Sequence, residues 1–418
     1  MMRICLVGAT HPCHNPRLVR EADSLVQAGH SVRVVAPCFM RELQRKDQRL
    51  IASRSWCLEQ VDFLPFGWRG SLRSMIMRGR RRLARELFRL MRNVRVAEYG
   101  YVAALPELVA LASREPADWF IAHTQAALPV AAVAAERWSA RLGFDCEDLL
   151  AELGTDPPEI VRLIEKTYLP RCDYISVPSQ CIADRLVEQY NIPRPLVLYN
   201  AFPLRLAEGL LPPNRRQARP VIRLHWVGQT IGPGRGIEEA IEAIGMLGDG
   251  VELHLRGKLA QGYDSTIHAL CRKYGVASKV ILHPPVDHDD LIRTMGEFDV
   301  GLALERPENP NCSRTVSNKL FAYLLAGLAV AATNTPGQRE VLEQAPSAGF
   351  LYPAGDAAAL AEGLRRWIKD RDALRAAQQS AWEAARDRFC WDREKEKFLR
   401  IFDLSSSPTT QPVSLKRQ

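Results

Sequence analysis

Long apolar runs are missing from this sequence, and their absence excludes a membrane-spanning helix, which needs roughly 20 consecutive apolar residues. The longest apolar stretches, Ala126–Ala135 and Leu320–Ala332, are too short or are interrupted by polar side chains. The first residues, MMRICLVGAT, form a brief apolar run that soon meets His11 and Pro12. They predict a buried strand rather than a secretory signal. We expect a cytoplasmic protein.

Closely spaced cysteines are also lacking. The ten cysteines are scattered, and none forms a cysteine–histidine cluster with the spacing of a zinc site. A chain of 418 residues is too large to need disulfide bonds for its stability. Cys5, Cys146 and Cys181 stand beside apolar or strand-forming residues, so we expect them to be small core side chains in a reducing compartment. We predict no metal and no bound cofactor.

The charge balance is basic, with a formal net charge of +8 and far more arginine than lysine. Phosphates, an acidic lipid surface or nucleic acid are therefore possible partners. Apolar residues make up 47% and charged residues 25% of the chain, as in ordinary globular proteins. At roughly 100–200 residues per domain, the length favours two domains.

Strand and helix patterns alternate in both halves of the sequence. Arg3–Gly8 and Ser31–Ala36 are typical of buried strands, and Pro16–Gly29 between them has helical spacing with an apolar face. The same alternation restarts at the strand-like segment Val221–Val227. Strand, helix and strand joined by short links indicate parallel sheets. We predict an α/β fold with two Rossmann-like domains facing a cleft, where the carboxyl ends of the strands place a ligand.

A proline-rich stretch without clear periodicity separates the two halves and is the predicted linker. A long charged helix, Leu374–Phe402, is expected to return to the first domain. The polar end of the chain carries no pattern and is predicted to be disordered. The predicted division is a first domain 1–200, a linker 201–219, a second domain 220–385, a returning helix 386–404 and a tail 405–418.

The second half resembles the donor-binding domain of GT-B glycosyltransferases of family 4. The segments that carry this resemblance are WVGQTIGPGRG (Trp226–Gly236), HPPV (His283–Val286), DVGLALE (Asp299–Glu305), SNKLFAYLLAGLAV (Ser317–Val330) and TPGQREVL (Thr335–Leu342). Weaker matches occur in the first half, in the residues after the first strand, in AHTQAALP (Ala122–Pro129) and in FDCEDL (Phe144–Leu149).

The resemblance implies transfer of a sugar from a nucleotide diphosphate sugar, with retention of configuration and without a metal. Such a site must neutralise the charge of the departing diphosphate, and a helix N-terminus with cationic side chains can do so. Arg235 in the glycine-rich loop Gly228–Gly236, and Lys319 at a helix start, are the predicted cations. Alone, each pattern also fits an ordinary turn or a capped helix. The predicted donor-binding residues are Gly228, Gln229, Gly234, Arg235, Gly257, Glu305, Asn318, Lys319, Gly337 and Glu340.

The sequence departs from the family at the acidic residues of the donor site. Most relatives carry two glutamates eight positions apart, and the corresponding residues here are Arg314 and Ala322. We therefore expect the ribose to be held by Glu305, Glu308 or Glu340. Gln229 also stands where many relatives have an arginine, which leaves Arg235 with more of the phosphate charge.

Polar side chains of the first half follow its predicted strands. His123 comes after the strand-like WFIA, and the resemblance implies a catalytic place for it at the cleft together with Arg235 and Lys319. A lone histidine after a strand can equally be structural. The other polar residues that follow strands can cap helices or bind acceptor hydroxyls. The predicted acceptor-binding residues are His11, Asn15, Arg17, Asp145 and Asp148.

The segment Trp68–Arg95 contains ten arginines and a single acid, Glu86, with apolar residues between them. Such a stretch can lie on an anionic bilayer, form a solvated face, or bind nucleic acid. Because no nucleic-acid motif accompanies it, we predict a membrane contact on the inner face of the plasma membrane and no nucleic-acid partner. The predicted contacts are Arg73, Arg80, Arg81, Arg82 and Arg85.

The sequence thus predicts a glycosyltransferase that acts on a glycan or a lipid-linked acceptor. A second hypothesis is an inactive homologue that binds a nucleotide or serves in an assembly, and the missing glutamates motivate it. A third is an epimerase or phosphorylase on the same architecture.

Overall fold

The computed structural model describes residues 1–65 and 67–405. It contains two parallel sheets, which confirms the predicted fold class. The first sheet has seven strands in the order β3-β2-β1-β4-β5-β6-β7. Its strands are β1 (Arg3–Gly8), β2 (Ser31–Cys38), β3 (Cys57–Asp62), β4 (Trp119–His123), β5 (Arg141–Asp145), β6 (Tyr174–Val177) and β7 (Leu196–Val197).

The second sheet has six strands in the order β10-β9-β8-β11-β12-β13. Central strands of both sheets are apolar at consecutive positions because helices cover both faces. The strands of the second sheet are β8 (Ile222–Ile231), β9 (Val251–Leu259), β10 (Val280–His283), β11 (Val300–Ala303), β12 (Ala329–Thr333) and β13 (Gly349–Tyr352).

Helices connect the strands and supply the outer layers. Those between the strands of the first sheet are α1 (Pro16–Gln27), α2 (Arg41–Ile51), α3 (Gly67–Met91), α4 (Val94–Tyr101), α5 (Leu105–Ala112), α6 (Leu128–Trp138), α7 (Leu150–Leu153), α8 (Pro158–Tyr168) and α9 (Gln180–Tyr190). Those that follow are α10 (Ile237–Gly245), α11 (Tyr263–Tyr274), α12 (His288–Met295), α13 (Pro310–Arg314), α14 (Asn318–Ala326), α15 (Pro336–Leu342), α16 (Ala357–Lys369), α17 (Arg371–Asp387) and α18 (Trp391–Ser405).

Two predicted elements differ from the structure. Strand β8 continues through Gly228 and Gln229 to Ile231, past an irregularity in its pairing with β9, so the glycine-rich turn begins at Gly232. The single helix predicted over Leu374–Phe402 is two helices, α17 and α18. The helix is interrupted between them because Phe389 turns inward and packs edge-on against Tyr199 and at a tilt against Phe321.

Helix α18 packs on the first domain. Its Phe398 and Phe402 join the core formed by α1, β1 and β4, and the Phe402 ring lies 5.5 Å from the ring of Trp119. The indole of Trp391 donates to the Ser24 hydroxyl at 3.0 Å. Residues 201–219 hold two short 3-10 turns and no strand. Of the predicted tail, Ser405 ends α18 and residues 406–418 lie outside the described part of the chain.

Candidate active site

The two domains meet at residues that follow the carboxyl ends of β5 and β11. The side-chain oxygen of Asn311 accepts from the Leu149 amide at 2.8 Å, and its nitrogen donates to the Asp148 carboxylate at 2.9 Å. Both sheets therefore point their carboxyl ends into one cleft, where parallel α/β sheets bind ligands. Burial raises the pKa of Asp148 to about 6. Asp148, predicted to bind the acceptor, contacts the second domain in the structure.

A tight turn joins β8 to α10 on the second-domain side of the cleft. Gly234 and Gly236 both have φ of 72°, a region that side-chain-bearing residues rarely adopt. A Cβ at Gly236 would lie 2.6 Å from the Leu304 side chain. Only glycine allows this approach, and the turn leaves Arg235 exposed at its tip. Gly228 and Gln229, predicted to be part of this loop, are strand residues.

Glu305 and Lys319 form an ion pair beside this turn. Glu305 also accepts from the Ser317 hydroxyl at 2.7 Å, and the Lys319 ammonium lies 5.8 Å from the centre of the Trp226 ring. Burial would raise the pKa of Glu305, but Lys319, Ser317 and the charge of Arg235 hold it below its ordinary value. A carboxylate thus sits where the predicted phosphate-binding cations converge.

Helix α14 begins next to this ion pair, at Asn318. Its first backbone N–H groups carry the partial positive charge of a helix N-terminus. Together with Lys319 and the exposed Arg235, they make this edge of the cleft suited to an anion. The remaining predicted glycines lie nearby in the fold: Gly257 is buried in β9, and Gly337 packs on the backbone of Arg314 and Thr315.

Glu340 contacts the first domain. Its carboxylate accepts from the Gln180 amide at 3.0 Å and from the Cys181 amide at 3.3 Å. These are the first residues of α9, and an acid is stabilised by the free N–H groups of a helix N-terminus. Glu340, predicted to bind the donor, thus caps a helix of the first domain in the structure.

His123, Arg17 and Asp145 form a buried ionic cluster below the cleft. Arg17 donates to both carboxylate oxygens of Asp145, at 2.6 and 2.7 Å, and Ser176 donates to the same carboxylate at 2.6 Å. Arg17 is 2% exposed, and Asp145 and His123 are 0% exposed. Arg17 and Asp145, predicted to bind the acceptor, and His123, predicted to be catalytic, thus contact one another in the structure. Their roles toward substrate stay predictions.

The cluster also contains Glu21, which is not among the predicted site residues. Its carboxylate lies 3.3 Å from His123 Nε2, and that of Asp145 lies 3.5 Å from His123 Nδ1. Burial would lower the pKa of His123, but Glu21, Asp145 and Glu147 raise it well above its ordinary value. Within the described residues, Glu21, His123 and Asp145 are the group spaced to hold a metal ion. Because Arg17 already binds Asp145 through two hydrogen bonds, the arrangement is that of an ion cluster.

The other two predicted acceptor residues, Asn15 and His11, also have partners within the protein. Asn15 caps α1 by accepting from the Leu18 amide at 3.0 Å, and its nitrogen donates to Glu147 at 2.5 Å. His11 Nε2 accepts from the backbone amides of Phe39 and Met40, at 3.0 and 3.2 Å. Both residues accept hydrogen bonds from backbone amides, as polar side chains that follow a buried strand often do.

Helix α3 turns some of its arginines toward the protein, whereas the sequence predicts that they contact a membrane. Arg80 pairs with Glu107 at 2.9 Å, and Arg81 and Arg85 donate to the Gly100 carbonyl at 3.4 and 2.8 Å. These three predicted membrane contacts therefore touch the protein. Arg73 and Arg82 are exposed. The helix also exposes a stripe of apolar side chains: Trp68, Leu72, Met75, Ile76, Leu83, Leu87 and Leu90.

None of the helices in the described parts of the chain has the length and apolarity of a membrane-spanning segment.

Comparison with known protein families identifies the class of this protein. A family model described as a glycosyl transferase 4-like domain matches residues 14–201, and one described as glycosyl transferases group 1 matches residues 222–370. Two consecutive parallel-sheet domains that match these models in this order define a GT-B glycosyltransferase. The chain belongs to the family 4-like glycosyltransferases, which confirms the resemblance.

Solved structures share this fold at low sequence identity. HepE from Anabaena, in complex with UDP and glucose, superposes with a TM-score of 0.69 at 17% identity, covering 97% of this chain and 100% of the other. A glycosyltransferase from Rickettsia africae gives 0.69 at 13% identity, covering 97% and 99%. Sucrose-phosphate synthase from Thermosynechococcus elongatus gives 0.66 at 14% identity, with the same coverage. No curated protein matches the chain in sequence.

Proposed function

We propose that this glycosyltransferase moves a sugar from a nucleotide diphosphate sugar to a glycan or lipid-linked acceptor, with retention of configuration. One observation carries the proposal: Lys319, Arg235 and the start of α14 converge on one edge of the cleft, around the Glu305 carboxylate. Cations and free N–H groups at such an edge favour a diphosphate. The UDP bound to the Anabaena relative of the same fold supports a nucleotide ligand.

The leaving diphosphate would take its charge stabilisation from Lys319, Arg235 and the first N–H groups of α14. A metal is not needed for this step, because preorganised donors and cations neutralise a developing negative charge in a dry site. Lys319 would exchange part of its contact with Glu305 for the phosphates. Ala322 offers no acid for the ribose, and Glu340 and Glu305 are engaged by the protein. We therefore assign the ribose to Glu308, which is exposed beside Gly234.

The test is release of nucleoside diphosphate from a panel of nucleotide sugars, followed with and without EDTA. A transferase is expected to release the diphosphate with one donor, and to do so equally in EDTA. The second hypothesis, an inactive nucleotide-binding or assembly protein, draws on Arg314, which occupies a glutamate position of the family and binds Glu152 of the first domain. That hypothesis predicts a raised melting temperature with nucleotide and no product from any donor.

We also propose that the enzyme works on the cytoplasmic face of the plasma membrane as a peripheral protein. The support is helix α3, which buries one face on the domain and exposes apolar residues such as Trp68 at 72%, Leu83 at 62% and Leu90 at 83%. Arg73 and Arg82 flank this stripe. Apolar side chains between cations suit the headgroup boundary of an anionic bilayer. A lipid-linked acceptor would be met at that surface.

A further inference from the structure

A cavity of about 700 Å³ opens in the first domain, away from the predicted donor edge. It lies between the residues that follow β2, the start of α2, the end of β3 and the first turns of α3. This is the carboxyl end of the sheet, the edge at which parallel sheets bind ligands. The side chains that matter for its chemistry are those of Phe39, Gln44, Asp62, Leu64 and Arg73.

A buried pair of polar residues, His11 and Asp47, lies behind one wall of the cavity and supports it. His11 accepts from the Phe39 and Met40 amides through Nε2, so its Nδ1 carries the proton and donates to Asp47 at 2.6 Å. Asp47 is fully buried and also accepts from the Cys13 amide at 2.9 Å and from Gln60 at 2.8 Å. A satisfied buried network fixes side chains in one arrangement. Here it holds Phe39 and Met40, which belong to neither helix nor strand, against the cavity.

The lining combines donors, acceptors and apolar faces. Gln44 and Arg73 supply N–H groups, Asp62 and Glu42 supply carboxylates, and Phe39 and Leu64 supply apolar surface. Arg73 Nη1 donates to the Asp62 carbonyl at 3.0 Å and the Leu64 amide donates to Asp62 Oδ1 at 2.8 Å, so a ligand would use the remaining Arg73 N–H groups and the other Asp62 oxygen. A free phosphate would need hydrogen-bond donors alone, and an aliphatic chain would need neither donors nor acceptors. A sugar ring needs all three, because each hydroxyl both donates and accepts while the ring carbons pack on apolar side chains.

The neighbouring helix indicates which kind of sugar. Gly70 and Arg73 of α3 line the cavity, and the exposed apolar residues Leu72, Met75 and Ile76 stand on the same turns of that helix. When this stripe lies on a bilayer, the cavity opens near the lipid surface. The cavity is also at the β3 edge of the sheet, three strands from β4 and about 14 Å from it at the usual strand spacing.

We propose that this cavity binds an inner sugar of a lipid-linked acceptor, between the lipid and the hydroxyl that receives the donor sugar. The proposal rests on the proposed function. It makes His11 and Asp47 positioning residues, and it makes Gln44 and Arg73 ligands of acceptor hydroxyls. It also predicts that the acceptor carries at least two sugar units.

Saturation-transfer NMR with octyl β-maltoside and octyl β-lactoside, each below its micelle concentration, tests the site. We expect saturation of sugar-ring protons, and binding about fivefold weaker for Gln44→Ala, as for the loss of one hydrogen bond. Arg49→Ala is the matched control, an exposed residue of α2 that does not line the cavity. His11→Ala should weaken glycoside binding and leave the affinity for UDP unchanged, a difference that general destabilisation would not produce.

Saturation confined to the octyl chain, or equal binding by Gln44→Ala and the parent, would overturn the proposal. Nucleoside diphosphate release in the absence of acceptor is measured in parallel. If diphosphate is released but the sugar-ring protons are not saturated, the cavity does not bind a sugar and the proposed transferase activity stands. Ring saturation without release from any donor leaves a sugar-binding site on a protein that is not a transferase.

Discussion

Arg314 of the second domain donates to Glu152 of the first, with 3.2 Å between Nη1 and Oε2. Arg185 of the first domain binds the same carboxylate at 2.6 Å. The resemblance to the family places a donor-site glutamate at position 314, yet here a cation at this position ties the two domains together. Replacement of Arg314 therefore changes the closure of the cleft rather than a ligand of the donor.

Arg314→Glu should open the cleft. It would place a carboxylate beside Glu152, and like charges at this distance repel each other. We expect a larger radius of gyration by small-angle X-ray scattering and no gain in donor turnover. Arg194→Glu, at an exposed pair with Asp184 within the first domain, is the control and should leave the radius unchanged. An increase in turnover for Arg314→Glu would show that position 314 still serves the donor.

The phosphate cations should carry much of the catalytic effect. Lys319→Ala and Arg235→Ala each remove a charge from the predicted leaving-group site, and we expect losses of about 2–4 kcal/mol of transition-state stabilisation in kcat/KM. Lys369→Ala, at the exposed end of α16, is the control. The measurement is steady-state release of nucleoside diphosphate. Turnover within twofold of the parent for either variant would remove that residue from the site.

The interdomain contact at Asp148 should make stability depend on pH. Burial raises the pKa of Asp148 to about 6, so the folded state holds its proton more tightly than the unfolded chain does. The resulting stabilisation is complete below about pH 4, the unfolded pKa, and is lost as the pH rises through 6. Asp148→Asn removes the buried charge and can still accept from Asn311.

Melting temperatures of the parent and Asp148→Asn, measured from pH 4 to pH 8, check this dependence. Their difference should be small at pH 4 and should grow in favour of the variant until about pH 7. A shift of two pKa units corresponds to at most about 3 kcal/mol. Asp356→Asn, at the N-cap of α16, is the control: Asn caps a helix about as well as Asp, so stability should change little at pH 5 and at pH 8. Parallel curves for the parent and Asp148→Asn would contradict the prediction.

Helix α3 should bind vesicles mainly through its apolar stripe. Leu83→Glu is expected to abolish sedimentation with vesicles of phosphatidylcholine and phosphatidylglycerol at both low and high salt. Arg82→Ala should weaken binding at low salt only, because salt screens exposed charges beyond about 8 Å at physiological ionic strength. Arg81→Ala is the control, since that side chain faces the domain. Undiminished sedimentation of Leu83→Glu would make the stripe a solvent-facing surface.

Much of the fold followed from the sequence because parallel strands are buried on both sides and appear as short apolar runs. The runs at β1 and β2 are recognisable from their composition alone. The break before α18 was not, because residues 388–390 contain neither glycine nor proline, and the helical pattern continues through them. The turn rests on the tertiary packing of Phe389.

The site was less predictable, because charges separated along the chain find each other in the core. Arg17 and Asp145 are 128 positions apart, and nothing local distinguishes them from residues that bind a ligand. The position of Glu21 in the cluster could have been predicted, because Glu21 follows Arg17 by four positions on a helix with a recognisable apolar face. A pair of opposite charges on an inward face is a usable signal of a buried cluster.

The packing of α18 has a consequence for how the protein is made. Phe398 and Phe402 complete the core around β1 and α1, so the first domain to leave the ribosome cannot finish folding until nearly four hundred residues have been translated. Until then the apolar side chains of Ile4, Leu6 and Trp119 lack part of their cover. During that interval the nascent chain exposes apolar surface that favours aggregation, so it needs chaperones or rapid completion of translation to reach its native state.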